Sequence, residues 1–306
     1  AVLGVELDAA VAVEQRGDDV DHAAGVEHMH RLVRVLGRDL HGGDSVAPVR
    51  VVIAGGHGQI ALRLTALLTG RGDVVTGVVR NPDHRGDVEA AGGTALVRDL
   101  ETVDATDLAE HLVGADAVVF AAGAGPTSGA PRKDTVDRAA SVLLADAAAL
   151  AGVQRYVQVS AINVDEEPDA SRGDVWVAYV HAKRAADEAL RATSLDWTIL
   201  RPGRLTDDPG VGQVLLAPSV PYGSITRDDV AAVLAALLDA PGTIGQTLEL
   251  VEGDDDVLAP HGDAAVHLLV AVVLGAVAVD AAAQLAQRGA RIHAEHFGVA
   301  FARGGG

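Results

Sequence analysis

Between residues 49 and 256 the chain alternates short apolar runs with longer stretches whose apolar residues return every three or four positions. The short runs, at 49–54, 74–79, 94–98, 116–122, 154–160, 196–201 and 246–251, are mostly rich in Val, Ile and Leu, the pattern of strands buried on both faces. The periodic stretches at 58–70, 132–152, 174–193 and 226–240 read as amphipathic helices. Strands and helices alternating at this spacing predict βαβ units and the α/β class: a doubly wound parallel sheet with helices on both faces. The expected organisation is one domain over 49–256, with only short additions on the substrate side.

The flanks 1–48 and 257–306 break this pattern. They hold eight of the twelve histidines and no lysine, and their apolar residues keep no steady period. Two readings stay open: extra or disordered segments beside the core, or translation past the ends of the gene, with Met29 or Val49 as the start. The most apolar segment, 264–279, is 16 residues between Asp263 and Asp280 and contains His267. A spanning helix wants about 20 residues, so it reads as a buried or interfacial helix and no membrane partner is expected. The N-terminal "AVLGVELDAA" lacks the basic start and long apolar run of a signal peptide. "HMH" at 28–30 has no further ligands beside it and reads as a solvated segment, so no metal is expected.

The formal charge of −19 argues against a nucleic-acid partner, which would need a basic face. With no cysteine there is no disulfide framework and no thiolate zinc site, as fits a reducing, cytoplasmic setting. The expected partner is a small-molecule substrate or acceptor.

The chemistry starts at "VVIAGGHGQIALRL" (51–64). A strand runs into Gly55, Gly56 and Gly58, and a helix follows at once. Such a turn lets backbone N–H groups approach a diphosphate at the positive end of the helix dipole. Gly55 would make the tight turn and Gly58 would leave room for the phosphates. Ala61 stands where close helix–strand packing is needed. The second strand ends on Arg80, 25 residues after Gly55, with Arg85 close by, where an NAD site would carry an acid. A guanidinium there suits a 2′-phosphate, so NADP(H) is favoured over NAD(H).

With these motifs in place, residues 49–256 resemble the atypical short-chain dehydrogenases/reductases, the single-domain NAD(P)H-binding group close to NmrA-like and flavin-reductase-like proteins. "AGGHGQIA" (54–61) is similar to the family's glycine motif, "VRDLET" (97–102) to its adenine-contacting segment, and "DAVVFAAGAG" (116–125) to its fourth strand. "YVQVSAINV" (156–164) resembles the fifth strand, "YVHAK" (179–183) the catalytic pair, "LDWTILRPGRLTDDPG" (195–210) the sixth strand with its closing loop, and "SITRDDVAAVLAALL" (224–238) the following helix. The resemblance implies a Rossmann-like fold. It also implies cofactor contacts from Gly55, Gly56, His57, Gly58, Gln59, Ile60, Arg80, Asp99, Leu100, Ala121, Ala122, Gly123, Lys183 and Pro202, and catalysis by Tyr179, Lys183 and Ser160.

Tyr179 and Lys183 are four apart and share a helix face. An ammonium beside a phenol is expected to pull its pKa from about 10 toward neutrality and make Tyr179 a general acid or base. The family's hydroxyl after the fifth strand is often the second of a Ser-Ser pair; here the pair is Ser160-Ala161. Either the strand bends and Ser160 serves, or that third group is missing. The loop 202–225, with four prolines and four glycines, reads as a lid. Thr226 and Asp229 form a capping-box-like helix start. Trp197 reads as core and Trp176 as a surface that a flat substrate could use, while His57 and His181 fall beside the motifs. The leading function is an NADP(H)-dependent oxidoreductase passing a hydride to a small carbonyl, quinone or flavin. The alternatives are a non-catalytic NADP(H) sensor and, behind it, a nucleotide-sugar epimerase or dehydratase.

Overall fold

The computed structural model describes residues 47–125 and 127–256. The expectations for the flanks, including "HMH" and 264–279, lie outside the described residues.

Seven strands match the seven apolar runs: β1 (Arg50–Ala54), β2 (Val74–Val79), β3 (Thr94–Val97), β4 (Ala117–Phe120), β5 (Arg155–Val159), β6 (Asp196–Pro202) and β10 (Gln246–Asp256). Three more lie between the last two: β7 (Arg204–Thr206), β8 (Gln213–Ala217) and β9 (Ser224–Thr226). The main sheet has the order β3-β2-β1-β4-β5-β6-β10-β8. All its neighbours are parallel except β10 and β8. β7 and β9 form a separate parallel pair. The helices are α1 (Gln59–Gly70), α2 (Arg85–Ala90), α3 (Ala105–Leu112), α4 (Ala140–Ala151), α5 (Asp174–Arg191) and α6 (Arg227–Leu238). This is the Rossmann-like doubly wound sheet.

β1 shows why both faces are covered. Val51 and Ile53 point into one core, with Leu64, Leu67 and Leu68 of α1 and Val230, Val233, Leu234 and Leu237 of α6. Val52 and Ala54 point into the other, with Leu108 and Leu112 of α3, Leu144 and Ala148 of α4 and Leu190 of α5. Alternate side chains of a strand face opposite ways, so the four successive apolar residues Val51 to Ala54 need a helical layer on each side. β1 lies between β2 and β4, which places the reversal of strand order there. A crevice at the carboxyl ends of the strands is where such sheets take ligands.

Three features differ from the sequence reading. Segment 202–225 is no free lid. β8 extends the sheet edge against β10, and the fully buried Asp229 at the start of α6 accepts the Val211 and Gly212 N–H groups at 3.1 and 2.8 Å. Its prolines and glycines hide a five-residue strand too short to show a period. Helices α2 and α3, of six and eight residues, lie in the links around β3 and are too short to show a clear period. The run 132–152 is not one α-helix: a turn at Ala130–Arg132 leads into a π-helical stretch, Lys133–Ala139, before α4 begins. The Thr226 cap forms as expected, its hydroxyl oxygen accepting the Asp229 N–H at 3.0 Å. No helix among the described residues is long and apolar enough to cross a membrane.

Candidate dinucleotide and acceptor site

β1 ends at Ala54, and the next four residues turn the chain into α1. Gly55 has φ +81°, and a Cβ there would stand 2.6 Å from the Ala122 Cα. A Cβ on Gly56 would stand 2.6 Å from the Gly77 Cα on β2. These two glycines are therefore demanded by the protein's own backbone, which wedges the turn between β2 and the chain leaving β4. Gly58 is less confined: a Cβ there would stand 3.1 Å from the Gly55 carbonyl oxygen, 3.6 Å from that of Ala121 and 4.0 Å from the Ala61 Cβ. Gly58 is the N-cap of α1, offers no side-chain cap, and the first turn of α1 carries no acid. The positive end of this helix dipole is left for an anion. Ile60 packs on the core, Ala61 is fully buried in it, and Gln59 lies beside Arg63.

At the end of β2, Arg80 is exposed and donates to Glu101 at 3.1 Å. Glu101 also accepts from Arg132 at 2.7 Å and Thr135 at 2.6 Å. The Arg132 hydrogen bond, helped by Thr135 and Arg80, holds its carboxyl below the usual range. Arg85 turns instead toward Glu89, at 3.9 Å. His57 reaches Asp87 at 2.8 Å and stacks on His84 with ring centres 3.5 Å apart. Asp99 accepts the Glu101 N–H at 3.0 Å, which shapes the turn after β3, and Leu100 packs on the core below it.

The residues after β4 join the two halves of the site. The Ala121 N–H donates to the Ala54 carbonyl at 3.0 Å, and Ala122 touches Gly55. The Ala124 N–H donates to Asp137 at 3.2 Å, and a Cβ on Gly123 would lie 3.2 Å from the same carboxylate. Asp137 is buried and approaches Lys183 at 3.6 Å. Lys183, also buried, donates to the Val159 carbonyl at 3.1 Å.

Tyr179 stands half-buried one turn before Lys183 on α5. Its phenol is not pulled toward neutrality. Burial, and then the carboxylates of Asp137 and Asp187, push it up, well above a free tyrosine. Lys183 is committed to Asp137 and a carbonyl, so much of its charge is offset before it reaches the phenol.

Ser160 follows β5 and continues the alternation, sharing a face with Tyr156 and Gln158. Its hydroxyl is buried without a hydrogen-bond partner. It lies close enough to Asp187 to help hold that carboxyl down, yet outside good hydrogen-bonding geometry; burial still pushes Asp187 up overall. Among the described residues no hydrogen bond joins it to Tyr179, and Ala161 has no hydroxyl. Pro202 closes β6, its carbonyl accepting the Ile162 N–H at 3.0 Å. His181 is exposed on α5, and Trp197 packs on the core.

Sequence reasoning missed Asp137, Lys133 and the buried chain in which Asp187 accepts from Gln158 at 2.6 Å and from Arg201 at 2.9 Å. A usable signal was present. Lys133 and Lys183 are the chain's two lysines, and Asp137 follows Lys133 by four.

A family model described as NAD(P)H-binding matches residues 55–241, from the first glycine of the turn to the end of α6 and slightly beyond. The chain belongs to this NAD(P)H-binding family. It fits the atypical short-chain dehydrogenase/reductase group within the Rossmann-like proteins. YhfK of Bacillus subtilis, named as an uncharacterised sugar epimerase, is 34% identical over 210 residues, covering 68% of this chain and 97% of that protein. A Bacillus halodurans structure with the provisional name of an NAD-dependent epimerase/dehydratase is 34% identical with a TM-score of 0.62, covering 68% and 96%. The oxidoreductase ylbE of Lactococcus lactis is 25% identical with a TM-score of 0.60, covering 68% and 93%. The NAD(P)H-binding match and the glycine turn coincide in the chain.

Proposed function

We propose that this protein is an NADP(H)-dependent oxidoreductase that reduces a small carbonyl, quinone or flavin acceptor. The observation that supports this is the run of neighbours from Gly55 through Ala122, Ala124 and Asp137 to Lys183, with Tyr179 one turn before it on α5, which links the glycine turn to the tyrosine–lysine pair. The glycine cradle, with no side chain at Gly58 and no acid in the first turn of α1, fits a dinucleotide. Gly55, Gly56, His57, Gly58, Gln59 and Ile60 would hold its diphosphate, Asp99 and Leu100 its adenine side, and Ala121, Ala122, Gly123, Pro202 and Lys183 its nicotinamide side. Arg80 is the group for a 2′-phosphate: it is exposed, and Glu101 keeps Arg132 and Thr135 if Arg80 turns away.

When bound, the cofactor supplies a hydride. Tyr179 donates the proton to the acceptor oxygen, and its raised pKa keeps it in the acid form at neutral pH. Asp137 fixes Lys183 and ties α5 to the loop after β4.

One observation favours a second reading, a redox sensor that binds NADP(H) without turnover: the Ser160 hydroxyl is buried without a hydrogen-bond partner. The relatives named as epimerases favour a third, but after β6 the described residues add only β7 to β10 and α6, little to hold a sugar nucleotide. A test is NADPH oxidation by the full-length protein against a panel of carbonyls, quinones and flavins, with Tyr179→Phe alongside. The reductase reading expects turnover that the variant loses. Tight NADPH binding with no turnover on any acceptor would shift the assignment to the sensor.

A further inference from the structure

The chain has two lysines among 24 basic residues and uses arginine everywhere else. Solvated surface cations are easily exchanged. Lysine differs where a compact ammonium with swivelling donors must fit a confined place. Lys183 belongs to the tyrosine pair, which leaves Lys133 to explain. It sits at the start of the π-helical stretch, a kind of distortion often found at functional sites. It is 4% exposed, donates to the Gly125 carbonyl at 2.8 Å, and its Nζ stands 5.4 Å from the centre of the Tyr179 ring.

Among the described residues no carboxylate lies within ion-pairing distance of Lys133. Asp137, four residues on, is turned to Lys183 and the Ala124 N–H. An ammonium has three donors, and one is used here. Asp187, the other buried carboxylate near Tyr179, is taken by Arg201 at 2.9 Å, so neither carboxylate is paired with Lys133. A buried charge without a counter-ion is costly and calls for a function. Beside Tyr179, one turn earlier on α5, the Trp176 ring lies with its centre 5.6 Å away.

The geometry points to Lys133 as the residue that recognises a carboxylate on the acceptor, beside the carbonyl that Tyr179 protonates. The acceptor is then a small oxo acid with its charge on Lys133; one face of the Trp176 ring is already covered by the Arg172 guanidinium, 3.4 Å from its centre. This deepens the reductase reading and rests on it.

The test is calorimetry on the full-length protein loaded with NADP⁺, using benzoylformate and its methyl ester as probes. These share a ring and a carbonyl and differ by one charge. The acid should bind about tenfold tighter or more, as a charge-assisted hydrogen bond gives. Lys133→Met should erase that difference, leave NADPH affinity unchanged, and keep or raise Tm, because a buried charge gives way to an apolar chain of similar length. Lys133→Arg should keep part of the preference. Equal binding of acid and ester by the unaltered protein, or a preference that survives Lys133→Met, overturns the assignment. So does a sharp fall in Tm in Lys133→Met, which makes Lys133 a structural tie to Gly125, or a loss of NADPH binding, which makes it a cofactor ligand. NADPH oxidation by the unaltered protein against the acceptor panel reports on the reductase reading alone, so the two failures are distinguishable.

Discussion

The two ends of this crevice are built from different materials. At the β1–α1 end the protein offers shape: a left-handed Gly55, a Gly56 pressed on Gly77, and a helix start with no acid in its first turn. At the α5 end it offers charge: Lys133, Asp137, Lys183 and Asp187, all buried, around a half-buried tyrosine. A diphosphate can be held by amides because its charge is fixed and always present. A reacting oxygen gains charge only during the reaction, so it needs groups that can give up a proton or answer a charge.

The largest effect that would sharpen this contrast is in turnover. Tyr179→Phe should lower kcat by roughly 10²–10⁴-fold, the usual worth of a general acid, with NADPH affinity unchanged in a binding titration. The pH profile carries the same claim. The phenol is raised, so its acid form persists, and kcat for reduction should hold level from pH 7 to about 10, where a free tyrosine would already lose its proton. By the same linkage, protonated Tyr179 favours the fold, and that contribution is lost as pH rises through the raised pKa. A kcat that climbs through pH 7–8 would mean a phenolate base instead.

Asp137→Ala comes next. It leaves Lys183 buried without its carboxylate and should cost about 3–5 kcal/mol in urea unfolding. At the shape end the glycines should separate. Gly55→Val meets a positive φ and backbone at 2.6 Å, so it should lose about 1–3 kcal/mol of stability or more, and cofactor binding with it. Gly58→Ala should lower Tm far less, since its φ is negative and its Cβ would come no closer than 3.1 Å to any atom, yet weaken NADPH binding. If both variants melt alike, Gly58 serves the fold and not the ligand. The smallest effect is at the rim. Arg80→Ala should reduce the preference for NADPH over NADH by about tenfold, the scale of one charge-assisted pair, with stability unaffected because Arg80 is exposed.

The shape end was the more legible in the sequence. Glycines in a strand–turn–helix have local causes, and the seven apolar runs show their period within a few residues. Ser160 followed by Ala161 also showed in the sequence, as a departure from the Ser-Ser pair. The charge end was legible only in part. Tyr179 and Lys183 share a helix, so their spacing showed. Asp137 and Lys133 come from a separate segment, brought in by a π-helical stretch that no 3.6-residue pattern announces. The direction of the Tyr179 shift was missed for the same reason, because it depends on carboxylates distant in the chain. β8 escaped notice because its edge pairing with β10 is set by tertiary contact, not by its own short pattern.

The most direct measurement is a calorimetric titration of the full-length protein with NADPH and, separately, with NADH. One dinucleotide per chain, with NADPH bound more tightly, is the result this account requires. Absence of binding by either nucleotide would contradict it.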